Sequence, residues 1–247
     1  MKLRYLLLIF GVAFLGLLAA RLPLSLVLDA VAPRPVAYAR AEGTVWNGHV
    51  RGLRLRGVPL GDAELALSPL SLLRLAPGLD WRLGGGAVTG RGWLSIGLLD
   101  RSITLAGADV AAELERLPTM VPLSGLFAAT VHAVSWQGRA CRQADVDLRT
   151  SALTRNPMGL DWQGPALAGK AACDNGMLTV TLAGKDAGSD ITIRGTVSPE
   201  LAYTLDVVLK TGDRDLRQSL AAMGYEEGRD GFHIHFEGII GIGQPEL

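Results

Sequence analysis

Residues 41–73 read AEGTVWNGHVRGLRLRGVPLGDAELALSPLSLL and alternate apolar with polar side chains. Leu53 and Leu55 alternate with arginines before the segment VPLG at residues 58–61. After it, three apolar residues alternate with mostly polar ones: Ala63, Leu65 and Leu67. A period of two places one set of side chains on each face of a strand. The pattern therefore predicts two half-buried antiparallel strands around a turn at residues 58–61.

The rest of the chain repeats this pattern. Strands are predicted by the same alternation at residues 79–83, 88–96, 141–149, 178–182, 191–197, 201–209 and 231–239. Residues 124–153 resemble the opening pair of strands as a weak internal repeat, which is typical of hairpins that stack side by side. Residues 109–117 (DVAAELERL) and 213–223 predict two short helices. Asp109 is the expected N-cap of the first, and the second has Leu216, Leu220 and Met223 on one face and ends at Gly224.

Motifs along the chain resemble those of the type II secretion system protein N family. They are GTVWNG followed by two strands and SPLSLL, then LPTMVPLSG at residues 117–125, WQGPALAGKAACDNGMLTVTL at 162–182 and LRQSLAAMGYEEGRDGFHIHFEG at 216–238. The SPLSLL motif is also similar to AsmA-like envelope proteins. The resemblance covers nearly the whole chain and implies an accessory protein of the secretion machinery, with other inner-membrane and periplasmic secretion components as partners.

Composition limits the protein class. The chain has 247 residues, 24 basic and 24 acidic side chains, 31 glycines and 49% hydrophobic residues. Zero net charge without a basic patch argues against a nucleic-acid partner. The glycine and apolar content is typical of a turn-rich sheet protein. We therefore predict a mainly β fold: a long, curved, mostly antiparallel sheet, open or half-barrel-like, with two short helices after an N-terminal transmembrane helix. A β-sandwich is the alternative.

The N-terminus predicts a membrane anchor. Residues 1–4 form a basic head, and residues 5–20 contain no charge. Sixteen residues fall slightly short of a hydrocarbon core of roughly 30 Å, but residues 22–28 extend the run if Arg21 reaches the interface. We expect a cytoplasmic head at 1–4, a single-pass anchor at 5–28 in the bacterial inner membrane and a periplasmic β domain at 29–247. A cleaved signal peptide is the alternative, although Leu18 fits poorly before a cleavage site after Ala20.

Two cysteines, Cys141 and Cys173, lie beside predicted strands. Cys141 opens one strand, and Cys173 precedes Asp174-Asn175-Gly176, a typical hairpin turn. A disulfide between neighbouring strands is geometrically reasonable, and two unpaired thiols are the alternative. A disulfide would indicate an oxidising compartment, which is the periplasm for a bacterial inner-membrane protein.

Three patterns were considered as candidates for chemistry. His233, His235 and Glu237 alternate with apolar residues and share one face of the last strand, but without a further ligand they are interpreted as its solvated face. The chain-distant His49 and His132 could approach this strand in the fold, but nothing in the sequence indicates that they do. The glycines at 84–86 precede a strand, whereas a phosphate loop needs a helix. No nucleophile motif is present. We expect no enzyme activity, no catalytic, cofactor or metal site, and no cofactor.

Three functional hypotheses follow from these observations. The first is a non-enzymatic accessory component of type II secretion that acts by binding or assembly, and in which a homo-oligomer is compatible with the sequence. The second is a lipid-binding, AsmA-like envelope protein with an apolar groove, which the apolar and glycine content favours. The third, a metal-dependent enzyme through His233 and His235, lacks a ligand set. Membrane lipid is a partner in the first two.

Overall fold

The protein is described by a computed structural model that covers residues 2–31, 36–55, 58–72, 74–117, 124–155, 162–198 and 202–239. The strands are β1 Val36–Ala37, β2 Arg40–Thr44, β3 Asn47–Leu55, β4 Val58–Ser68, β5 Gly78–Gly85, β6 Val88–Ile96, β7 Ser102–Glu113, β8 Leu126–Gln137, β9 Ala140–Thr150, β10 Leu167–Asp174, β11 Met177–Lys185, β12 Ser189–Val197, β13 Ala202–Thr211, β14 Glu227–Gly228 and β15 Gly231–Ile239. The helices are α1 Lys2–Ala20, α2 Leu24–Val31, α3 Pro69–Leu72 and α4 Arg214–Ala222.

All the strands belong to one open, antiparallel, 15-stranded sheet. From β3 to β13 each strand pairs with the next strand in the sequence, and β15 pairs with β13 while β14 lies outside it. β2 pairs with β3 at the opposite edge. The prediction of a mainly β chain with one long, open sheet is confirmed, and the sandwich alternative is not observed.

The opening pair of strands is confirmed, but the predicted turn is wrong. β4 begins at Val58, so residues 58–61 lie within a strand, immediately after residues 56–57, which are outside the described residues. Pro59 pairs with Arg54. Gly61 has φ +92°, and a Cβ there would lie 2.4 Å from the backbone nitrogen of Gly86. Gly61 therefore allows a close backbone contact inside the sheet.

The helix predicted at residues 109–117 is also wrong. β7 continues to Glu113, and only Leu114–Arg116 forms a short 3-10 helix. The segment pairs with β6 on one side and β8 on the other, so strand pairing overrides the helix propensity of its alanines and glutamates. Asp109 caps no helix. Residues 118–123, which contain most of the LPTMVPLSG motif, lie outside the described residues.

The second predicted helix is confirmed as α4. The Asp213 carboxylate accepts hydrogen bonds from the backbone N–H groups of Asp215 and Leu216, at 2.9 and 3.0 Å. Such a cap satisfies backbone donors that the first turn leaves unpaired. Leu216 and Leu220 are buried on the sheet, but Met223, predicted on the same face, is 52% exposed.

The hydrophobic core lies on one face of the sheet. A large cluster of buried residues extends from β7 to β15 and α4, and includes Ala108, Val131, Ile191 and Phe232. A smaller cluster near the N-terminus joins Leu24 of α2 to Val50 and Ala63 of the sheet. The sheet therefore has a packed face and an exposed face along its whole length.

The N-terminal segment consists of two helices. α1 ends at Ala20, and α2 begins at Leu24 and packs on the sheet. The Trp46 indole N–H donates a hydrogen bond of 2.8 Å to the Ala19 carbonyl, and Pro23 forms a β-bridge with Thr44. Within the described residues, no helix has the length and apolar character required to cross a membrane. The transmembrane anchor at residues 5–28 stays a prediction.

Candidate functional site

The exposed face carries one row of polar side chains that crosses the sheet from β2 to β15. Each member lies directly opposite the next one on the neighbouring strand. In order, the row consists of Glu42, His49, Glu64, Arg82, Arg91, Asp109, Thr130, Asp147, Lys170, Thr181, Arg194, Asp206 and His235. We call it the polar row. Every member is exposed or half-buried.

The neighbouring row on the opposite face contains only apolar residues and glycine. It consists of Ala41, Val50, Ala63, Leu83, Gly90, Val110, Ala129, Leu148, Gly169, Leu182, Ile193, Val207 and Ile234. Val50 is only 2% exposed, and every other member of this row is buried or half-buried. Successive residues of a strand face opposite sides of the sheet. The two rows therefore show that polar residues face one side and apolar residues the other on every strand that the rows cross.

Opposite charges meet along the polar row. Near the N-terminus, the Glu64 carboxylate lies 3.9 Å from the His49 imidazole and 4.0 Å from the Arg82 guanidinium. The Arg91 guanidinium lies 3.4 Å from the Asp109 carboxylate. Cross-strand pairs of this kind stabilise one register of the strands, although exposed ion pairs contribute little individually.

In the middle of the sheet, Asp147 joins two basic side chains. Its carboxylate lies 2.9 Å from Nε2 of His132 and 3.6 Å from Nζ of Lys170. The hydrogen bond to Asp147 is the main reason that the pKa of His132 is raised above its ordinary value. The same bond, with a smaller contribution from Lys170, lowers the pKa of Asp147. Each charged form is therefore favoured by the other.

Arg82 and Arg91 break the pattern of alternating charge. They lie directly opposite each other on β5 and β6, where like charges destabilise strand pairing. Both line a surface depression of about 600 Å³ together with Trp93 and Trp46. Arginine and tryptophan are enriched at protein interfaces, where they contribute much of the binding energy. This end of the polar row therefore has the chemistry of a binding surface.

The four histidines lie on three different strands. His233, His235 and Glu237 share the exposed face of β15, as expected, and the His235 imidazole binds Asp206 at 2.6 Å. His49 lies on β3 and His132 on β8, many strands away. In the described residues, no three histidine, cysteine, aspartate or glutamate side chains are grouped as a metal site requires.

Cys141 and Cys173 form a disulfide between the neighbouring strands β9 and β10. Their Cα atoms are 5.6 Å apart, and 32 positions separate them in the sequence. The backbone pairing of the two strands ends at Ala171 and Val146, so the disulfide joins them beyond that point. On the loop-entropy model, a crosslink of this length contributes about 3–4 kcal/mol to stability.

The sequence contains a local signal for the polar row. Each strand that the polar row crosses carries a charged residue, a histidine or a threonine on the side opposite the apolar positions. The alignment of these residues depends on the register between strands, which hairpin lengths and bulges set. Bulges interrupt the register between β3 and β4, β6 and β7, and β8 and β9.

We expect Asp147→Asn to lower the pKa of His132 towards its ordinary value, because the main hydrogen bond to the imidazolium is lost. A raised histidine pKa contributes stability that is fully present below the unfolded pKa and lost as pH rises through the folded one. The lowered pKa of Asp147 contributes stability above its unfolded pKa, which is lost as pH falls through the folded value. The wild-type protein should therefore be more stable than the variant at pH values between the titration of Asp147 and that of His132, from mildly acidic to near-neutral pH.

NMR titration of the imidazole C–H signals measures this directly, and Asp206→Asn is the matched control. It should lower the pKa of His235, which the hydrogen bond to Asp206 raises, and leave His132 unchanged. An unchanged His132 midpoint in Asp147→Asn would contradict the assignment.

Comparisons with known proteins address the identity of the chain. The family model of the type II secretion system (T2SS), protein N, matches residues 34–235. A protein described as "Type II secretion system protein N" from Aeromonas hydrophila is 27% identical over 258 residues, which cover 94% of this chain and 96% of that relative. No solved structure matches the chain. Because the family match spans most of the sequence, the resemblance in its motifs is confirmed, and the chain belongs to the type II secretion system protein N family.

Proposed function

We propose that the protein is an accessory component of the type II secretion system that acts by binding other components of the machinery. The observation that carries this proposal is the polar row, a continuous strip of exposed or half-buried charged, histidine and threonine side chains across the sheet. A strip that carries both signs of charge suits recognition of a protein surface with complementary charges. The similarity to the "Type II secretion system protein N" of A. hydrophila supports the assignment of this chain to the same machinery.

Binding without turnover agrees with the chemistry of the polar row. Its charged groups are solvated and, from Glu64 to Asp147, most contact an opposite charge. General acids, bases and nucleophiles usually need burial or a like charge to shift their reactivity. The one like-charge contact, between Arg82 and Arg91, involves guanidinium groups, which do not lose their protons near neutral pH.

We further propose that α1 holds the protein in the inner membrane, with the sheet in the periplasm. α1 has 19 residues, and its large apolar side chains are exposed around the helix: Tyr5, Ile9, Phe10, Phe14, Leu17 and Leu18. Without lipid or protein cover, such a surface is unfavourable in water. The hydrogen bond from Trp46 to Ala19 links this helix to the sheet. The disulfide supports an oxidising compartment.

A charge exchange within the polar row tests the binding proposal. Arg91→Asp combined with Asp109→Arg keeps the cross-strand ion pair and removes the like-charge contact with Arg82. The exchange should leave the thermal unfolding midpoint unchanged or slightly higher. Introduced into a strain lacking the chromosomal gene, it should lower export of type II substrates towards the level of that strain, because a partner would meet an altered charge pattern.

The control exchanges a different ion pair, in which Nζ of Lys185 on β11 lies 3.4 Å from the carboxylate of Asp190 on β12. This pair lies outside the polar row. Lys185→Asp with Asp190→Lys should retain wild-type export. Wild-type export from the polar-row exchange, at equal protein level, would mean that the polar row serves only to fix strand register.

The membrane proposal has its own test in α1. Phe10→Lys combined with Phe14→Lys should release the protein from carbonate-washed membranes or cause its degradation, because a charge near the middle of a membrane-embedded helix costs roughly 2.5–3.5 kcal/mol. Leu98→Lys with Leu99→Lys changes two exposed leucines of the β6–β7 connection and should leave the protein in the membrane fraction. Recovery of a soluble mature protein beginning near Arg21 would instead support a cleaved signal peptide.

Lipid binding is the second candidate function, and one observation favours it. Several large apolar residues of the packed face are only half-buried: Leu65, Leu83, Val110, Ile193, Val207 and Ile234. A partly covered apolar face can hold acyl chains. If this candidate is right, purified protein carries lipid detectable by mass spectrometry, loss of the gene alters envelope lipids, and the charge exchange leaves export unchanged.

A further inference from the structure

The two ends of the open sheet differ in the strands that form their edges. At the N-terminal end, the edge consists of the short strands β1 and β2, which pair with β3, and Pro23 forms a β-bridge with Thr44 of β2. At the other end, β15 pairs with β13 from Phe232 to Ile239. On its outer side, β14 pairs only with Gly231 and Phe232. Within the described residues, the outer side of β15 from His233 onward has no strand partner.

An uncovered edge strand presents backbone donors and acceptors that can pair with another strand. Natural proteins usually protect such edges with charges, prolines, bulges or very short strands. β15 instead runs for 9 residues with the sequence GFHIHFEGI, and Phe236 on it is 46% exposed. This edge therefore has the properties of an interface.

The sequence of β15 is complementary to itself. If two copies align antiparallel with His235 opposite His235 of the other copy, each His233 lies opposite a Glu237 and each Ile234 opposite a Phe236. Residues directly opposite in an antiparallel pair point to the same face of the sheet. The histidines and glutamates then meet on the exposed face, and the apolar residues meet on the packed face.

The same alignment continues the pattern of the whole sheet. His235 is the last member of the polar row, so the polar rows of two copies join end to end. The row that ends at Ile234 meets Phe236 of the second copy and stays apolar. A shift by one residue would place histidine opposite isoleucine or phenylalanine, so that the exposed face of one copy would continue the packed face of the other. The alignment with His235 at its centre therefore satisfies charge, apolar contact and alternation together.

We propose that β15 is a dimer interface, at which the edge strands of two identical chains pair antiparallel with His235 at the two-fold axis. The pairing covers residues 233–237 of each copy. It ends there because position 238 of one copy would lie opposite Phe232 of the other, where β14 already occupies the edge. Such a contact is isologous, as most dimers of identical chains are.

Cysteine crosslinking in membranes that contain the full-length protein tests both the contact and its register. The two native cysteines are joined to each other, so an introduced cysteine is the reactive thiol. Opposite residues have Cβ atoms about 4.5–5.5 Å apart, close to the requirement of a disulfide. His235→Cys should therefore form a disulfide-linked dimer on mild oxidation, whereas Asp206→Cys, one strand further in, should stay monomeric.

A second pair of variants tests the register. His233→Cys and Glu237→Cys, carried on differently tagged copies in the same cell, should crosslink to each other. His233→Cys expressed alone should not, because two such residues would lie roughly four positions, or about 14 Å, apart along the strands. Crosslinking of His233→Cys with itself as strongly as with Glu237→Cys would overturn the proposed register.

Three other results would overturn the dimer. Crosslinking of His235→Cys only to a different protein would mean that a strand of that protein occupies the edge. Absence of any crosslink, with His235→Cys still reactive towards a maleimide, would mean that the edge has no strand partner. Loss of maleimide reactivity without a crosslinked dimer would indicate that the chain's own residues after Ile239 cover the edge.

Discussion

The fold depends on keeping one alternation of side chains in step across the whole sheet. A slip of one residue between two strands would turn the apolar side chains of one strand towards water. The polar row and the apolar row beside it show that no such slip occurs between β2 and β15. At two bulges a glycine with positive φ accommodates the extra residue: Gly107 has φ +55° between β6 and β7, and Gly52 has φ +64° between β3 and β4. Between β8 and β9 the extra residues are His132 and Arg142. The cross-strand ion pairs favour the same register.

The sequence allowed most strands to be predicted, because each carries its own alternation of apolar and polar residues. It failed where local composition opposed tertiary pairing. Residues 109–117 have helix-forming alanines and glutamates, yet two neighbouring strands hold residues 109–113 in an extended conformation. It also failed to reveal the polar row. His235 and Asp206 are 29 positions apart in the sequence. Their contact depends on the register of β13 with β15, and this register cannot be read from a hairpin length because α4 and β14 lie between the two strands in the sequence.

This one-sided sheet has a direct consequence for function. The packed face binds the chain's own helices, α2 at one end and α4 at the other. On the other face, the members of the polar row are exposed or half-buried in the part of the chain that the structure describes. α1 joins the end of the sheet that contains Arg82, Arg91 and Trp93 through the contact of Trp46 with Ala19. In the proposed arrangement, this end lies close to the membrane, where other secretion components are present. The opposite end carries the uncovered edge of β15, so anchoring and pairing are assigned to different ends.

The central claim, that one alternation runs unbroken through the sheet, can be tested by thiol labelling of adjacent positions. Cysteine would be introduced singly at three neighbouring pairs, Ala63 and Glu64 on β4, Ala108 and Asp109 on β7, and Leu182 and Thr181 on β11. In each pair the first residue is buried and the second is exposed. The labelling rate of the folded protein with a maleimide is compared within each pair. The account predicts slow labelling at the first position and fast labelling at the second in all three strands. Equal rates within a pair, or a reversed order in any one strand, would contradict a single continuous register.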